Sequence, residues 1–185
     1  LLQLAIPTLR RLPREEYERF RGRLLDLIRA DQQVDLFEYA LANMMERYLD
    51  PVFGRVDTAP QRYGKLQQVE REVRTVLAAL AGWGNRERET KERAWRCALA
   101  DLALEAEGPP PSVSLENVVR ALDRLREAAP AVRRAVLSAC ARSVAEDERL
   151  DPVEADLLHA IADALDCPMP PLTLAEEPDT DGAGA

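Results

Sequence analysis

Apolar residues return every three to four positions along most of the chain, the period of helices that bury one face. Pro13-Arg14-Glu15-Glu16 places proline and acids in a first turn, and Tyr17, Phe20, Leu24, Leu27 and Ile28 behind it predict a helix to about Asp31. Asp35 opens a second helix with Phe37, Leu41, Met45 and Leu49 on its apolar face, closed by Asp50-Pro51. Residues 51–61 read as a loop. From about Arg62, the residues Leu66, Val69, Val73, Val76, Leu77 and Leu80 mark a third helix, which Gly82-Trp83-Gly84 ends with glycines able to turn left-handed. A fourth spans about residues 86–105, with Trp95, Leu99 and Leu102 inward.

Glu107-Gly108-Pro109-Pro110-Pro111-Ser112 interrupts this series, because consecutive prolines cannot continue a helix. Beyond it Ser114 caps a helix to about Ala128, Pro130 starts one that runs to Asp147, and Asp151-Pro152 starts a last one ending near Asp166. Val118, Leu122 and Leu125, then Val136, Cys140 and Val144, then Leu157, Ile161 and Leu165 supply their buried stripes. The reading is an all-α fold of seven or eight helices packed as one domain around one core. It divides into an N-terminal half, 1–107, a Pro-rich linker, 108–113, a C-terminal half, 114–167, and a flexible acidic tail, 168–185.

An internal correspondence runs through both halves. Asp31, Asp35 and Glu38 recur as Asp147, Asp151 and Glu154 at one offset, since 147−31, 151−35 and 154−38 all equal 116. The flanking apolar positions keep it, pairing Phe20 with Val136, Leu24 with Cys140, Ile28 with Val144, Phe37 with Val153, Leu41 with Leu157 and Leu49 with Leu165. This pattern predicts a duplicated helix, acidic turn, helix unit, at 13–50 and 130–166. The acids admit two main roles, capping and cation binding, with partner docking as a third. As caps, Asp35 and Asp151 accept backbone N–H bonds while Glu38 and Glu154 reach back from the third helical position. As ligands, the three acids of each turn converge on a hard cation, although three carboxylates supply fewer oxygens than the six to eight calcium takes. Neither turn has the glycine of a twelve-residue calcium loop. No bound metal is expected here, with Asp31, Asp35, Glu38, Asp147, Asp151 and Glu154 as the weak candidates.

Composition narrows the function. A content of 46% hydrophobic residues against 31% charged supports a real core, and the scarcity of aromatics beside abundant Ala, Leu, Arg and Glu favours helix. A net charge of −8 repels phosphate backbones, so no nucleic-acid partner is expected. Cys97, Cys140 and Cys167 are odd in number and widely spaced, which excludes a disulfide framework and points to a reducing, cytoplasmic compartment. No apolar run approaches the ~20 residues of a bilayer span, so no membrane insertion is expected of this segment. His159 is the sole histidine, too few for a zinc helix or for a nucleophilic triad argued with conviction, and Gly82-Trp83-Gly84 lacks the Lys-Ser/Thr of a phosphate loop. The segment reads as non-catalytic.

Asp-x-x-Val-Asp-x-x-Glu between amphipathic helices, here Asp31 to Glu38 with its counterpart at Asp147 to Glu154, resembles the tellurite-resistance TerB-like helical domains. Leu1 to Leu12, Ile28 to Asp31, Val34 to Leu41 and Ala160 to Pro171 look like the C-terminal region of bacterial M48-family zinc metallopeptidases, membrane-associated proteases with chaperone function. Gln32 and Glu148 stand where such domains usually carry glycine. The resemblance implies a non-catalytic accessory or regulatory domain of a membrane-anchored peptidase, tethered to the inner membrane through upstream segments. Its zinc and its His-Glu-x-x-His helix would lie outside this chain. Its partner would be another protein or the parent's own peptidase domain. The alternative is a free-standing TerB-like acidic module in metal or stress response.

Overall fold

Helix stop signals, more than helix propensity, set the architecture of the computed structural model, which describes residues 2–30, 36–55, 60–83, 87–145, 152–167 and 169. Within them lie eight α-helices: α1 Leu2–Leu9, α2 Arg14–Ala30, α3 Leu36–Tyr48, α4 Glu70–Trp83, α5 Arg88–Asp101, α6 Leu115–Arg126, α7 Pro130–Ala145 and α8 Pro152–Ala164. The fold is all-α, and among the described residues no strand forms beyond one parallel bridge between Tyr63 and Ala128. Prolines open α7 and α8, where a missing N–H costs nothing. Ser114 caps α6, its hydroxyl accepting the Asn117 N–H at 3.3 Å, a bond worth about 1 kcal/mol.

Four elements depart from the sequence expectation. The first, α1, has no counterpart in the periodicity reading and carries Pro7 inside it. The third predicted helix starts at Glu70, behind a 3-10 turn at Leu66–Val69, not at Arg62. The cause is tertiary: the Arg62 and Tyr63 N–H groups donate to the Glu127 carbonyl at 2.8 and 3.3 Å, and Ala129 N–H donates back to Tyr63 at 2.8 Å. Gly82 is helical within α4 and does not turn left-handed, while Gly84 lies outside the described residues. The helix expected to reach residue 105 ends at Asp101, where Ala103 takes a positive φ of 55° and Leu104 N–H reaches back to the Leu99 carbonyl at 2.9 Å. The tail, 170–185, also lies outside the described residues.

Among the described residues, the buried side chains fall into two clusters, where the sequence reading expected one core. The larger joins Val73, Val76, Leu77 and Leu80 of α4 and Trp95 and Leu99 of α5 to the stripes of α6, α7 and α8. It therefore draws on both sides of Pro109–Pro111. The smaller gathers Tyr17, Met45, Leu49 and Phe53, with Ile6, Leu9, Phe20 and Leu24 partly buried against it. Phe20 and Leu24 share their face of α2 with Glu16, Arg19 and Arg23, and such a face does not close into a dry core without desolvating those charges.

Three helix boundaries fall 116 residues apart, whereas α7 ends 115 after α2 (145−30). The starts of α7 and α8 lie 116 after those of α2 and α3 (130−14 and 152−36), and α8 ends 116 after α3 (164−48).

Candidate docking surface

Of the six acids that the sequence singled out, two fall at the starts of α3 and α8. Asp31, Asp35, Asp147 and Asp151 lie outside the described residues. Glu38 and Glu154 fall at the third position of α3 and α8, and Glu154 is buried, with 1% of its surface exposed. Among the described residues no three His, Cys, Asp or Glu side chains cluster as a metal site would require.

Where α3 meets α8, acids are matched by arginines. Arg47 donates to the Asp163 carbonyl oxygen at 3.2 Å and lies 3.7 and 3.8 Å from the Asp163 and Asp166 carboxylates. The Tyr48 hydroxyl donates to Asp163 at 3.2 Å, and Arg126 pairs with Glu46 at 2.8 Å. Burial, reinforced by Asp163, raises the Tyr48 hydroxyl above its ordinary value, so it stays a neutral donor. These groups line a small polar cleft beside Asn43 and Pro51. Every carboxylate named there faces a guanidinium, so the cleft works as a clamp that holds the smaller cluster to the larger.

A second buried network anchors α2. Tyr17 is fully buried, donates to Asp50 Oδ1 at 2.6 Å and stacks on Phe53 with ring centroids 3.9 Å apart. Arg21 reaches the same carboxylate at 3.0 Å. Shifted by 116, Tyr17 and Asp50 become Arg133 and Asp166, and that pair also meets, at 3.4 Å. Sequence reading named Tyr17 and Asp50 only as a stripe position and a helix stop. Their 33-residue separation left no local signal.

The outward face of α2 is an open groove of about 400 Å³, lined by Glu16, Arg19, Phe20, Arg23 and Leu24. Phe20 and Leu24, one turn apart, are half-buried at its floor, and Glu16, Arg19 and Arg23 stand exposed at its rim. A second groove runs along α7 past Arg134, Leu137 and Ala141 to Cys167 and Met169. The first has the chemistry of a docking site, an apolar floor within a charged rim.

Of the three thiols, Cys140 is buried in the core and Cys97 and Cys167 are half-buried. Burial pushes Cys140 up to about 12 and raises Cys167 as well. Cys140 keeps its proton in the fold while the unfolded thiol ionises near 8.5, so stability is unaffected below that pH. It falls as pH climbs toward 12, by at most about 1.4 kcal/mol per unit. At pH 8 iodoacetamide should label half-buried Cys97 and leave Cys140 unmodified until the chain unfolds, as mass spectrometry of tryptic peptides would read. Labelling of both at equal rates in the native chain would contradict this burial. His159 is half-buried on α8 among core leucines. Among the described residues no helix is long and apolar enough to cross a membrane. No protein-family model matches the chain, and no curated protein or solved structure matches it either.

Proposed function

We propose that the chain is a non-catalytic helical accessory domain, built from a duplicated helix, acidic turn, helix unit, that recognises a protein partner on behalf of a membrane-anchored M48-type zinc endopeptidase. The observation that carries it is the α2 face: half-buried Phe20 and Leu24 form an apolar floor that no other part of the described fold closes, inside a rim of charge. An apolar floor left open inside a charged rim is the arrangement of a recognition surface. The duplication is supported by the shared helix boundaries and by the matched Tyr17–Asp50 and Arg133–Asp166 contacts. The peptidase context rests on the sequence resemblance alone.

Two measurements test this. The parent reading frame upstream of Leu1 is expected to encode transmembrane runs and a His-Glu-x-x-His helix; a frame without them overturns the peptidase assignment and leaves the TerB-like acidic module. Within that parent, Phe20→Glu combined with Leu24→Glu should keep native helicity and change the cleavage rate of a protein substrate by roughly tenfold or more, the scale of losing an interface anchor. A folded double variant with wild-type cleavage would refute recognition through α2.

A further inference from the structure

We propose that the open groove of α2 receives an acidic amphipathic helix of the protein partner, seated on α2 as α4 and α5 are seated on α7. This rests on the recognition reading above and names the chemistry of the partner.

The template comes from within the molecule. Val132, Val136, Ala139 and Cys140 of α7 are buried in the core that α7 shares with α4 and α5. Subtracting 116 gives Glu16, Phe20, Arg23 and Leu24, and all four line the α2 groove. Among the described residues, the same helix face is thus covered by helices in one unit and left as a half-buried open groove in the other. A helix face presenting residues at i, i+4 and i+8 forms ridges and grooves that fit another helix, which selects a helix over an extended strand as the occupant.

The differences between the two faces specify the occupant's charge. Val132 and Ala139 of the closed face become Glu16 and Arg23 on the open one, and Ala135 becomes Arg19. The floor stays apolar at Phe20 and Leu24, and two guanidiniums flank it against one carboxylate. The surrounding segment is basic too: residues 1–30 hold seven arginines and four acids, a formal +3, within a chain of −8. A partner helix with a narrow apolar stripe and acidic flanks satisfies both the floor and the rim. A basic helix is repelled, which gives the site its selectivity.

The test uses the full 185-residue chain and a fluorescein-labelled helical peptide copied from residues 88–101. This peptide keeps the Trp95, Ala98 and Leu99 stripe and carries Arg93→Glu and Arg96→Glu. The unsubstituted peptide is the basic control. Fluorescence anisotropy should show the acidic peptide binding about tenfold tighter than the control, the scale of two exposed pairs turned from repulsive to attractive. Phe20→Glu with Leu24→Glu should abolish binding, and Arg19→Glu with Arg23→Glu, which leaves the floor intact, should reverse the preference. The charge-dependent difference should shrink at 0.5 M salt. Equal affinity for both peptides, or binding that ignores the groove variants, overturns the acidic-helix inference. If the floor variant still alters cleavage in the parent, recognition through α2 then stands with a different occupant. If it does not, both readings fall.

Discussion

A fragment beginning at the proline break, residues 112–170, should show no cooperative thermal transition. It carries fully buried Val118, Leu122 and Leu125 of α6, Val136 and Cys140 of α7, Leu157 and Ile161 of α8, and Leu165 just beyond α8. In the intact chain these side chains pack on Val73, Val76, Leu77 and Leu80 of α4 and on Trp95 and Leu99 of α5. Removing residues 1–111 returns much of that surface to water, at about 1.5–3 kcal/mol for each large aliphatic side chain fully exposed. A few such side chains exhaust the ~5–15 kcal/mol by which a domain is stable. The fragment is therefore expected to bind a hydrophobic dye and to lose helicity gradually on heating, while the full chain melts with a sharp transition. A sigmoidal melt with native helicity in the fragment would show that α6, α7 and α8 hold a core of their own.

Asp50→Ala should cost about 2–3 kcal/mol, because it leaves a buried donor and a guanidinium without their acceptor. The carboxylate is 6% exposed as a residue and takes the Tyr17 hydroxyl at 2.6 Å and Arg21 at 3.0 Å. Burial first, then the hydrogen bond to Asp50, hold the Tyr17 hydroxyl above its ordinary range, so it remains a neutral donor through physiological pH. Because that folded value is raised, the Tyr17 contribution is fully present below pH ~10, where the unfolded phenol ionises, and is lost as pH rises beyond. Arg21 is about a fifth exposed and partly resolvated in the variant, which keeps the loss below that of a fully buried pair. Urea denaturation of Asp50→Ala and Asp50→Asn measures the effect, with asparagine expected to recover part of it by accepting from Tyr17. A loss under 0.5 kcal/mol for alanine would mean that the Tyr17–Phe53 stack alone holds α2 in place, within the scatter of an ordinary surface substitution.

Fold class was legible because a 3.6-residue period and hard stops are local properties. Ser114, Pro130 and Pro152 act through their own backbone geometry, and each marks a helix start within a residue of where the structure has it. The stripes of α4, α6, α7 and α8 were equally plain, since the partners of a strongly amphipathic helix need not be known for its buried side to be recognised. The 116-residue correspondence was visible in the sequence as matching residue types, and three helix boundaries fall at that offset while the ends of α2 and α7 do not.

The candidate site was legible only in part. Phe20 and Leu24 read as ordinary core positions, and nothing along α2 says that, among the described residues, they stay half-buried in an open groove while the corresponding face of α7 is buried against α4 and α5. That difference depends on where α4 and α5 lie, and they sit 40 or more residues away in sequence. The network of Tyr17, Arg21 and Asp50 joins residues about 30 apart, and Arg47 meets Asp163 across 116. The same cause shortened α4, whose expected first turn around Arg62 gave up helical hydrogen bonds for bonds to Glu127 and Ala129. Local periodicity is set by the 1.5 Å rise and 100° turn of a single helix, so the sequence determined which faces are apolar. Which of those faces are covered depends on chain-distant packing against charge, and only the tertiary structure decided that.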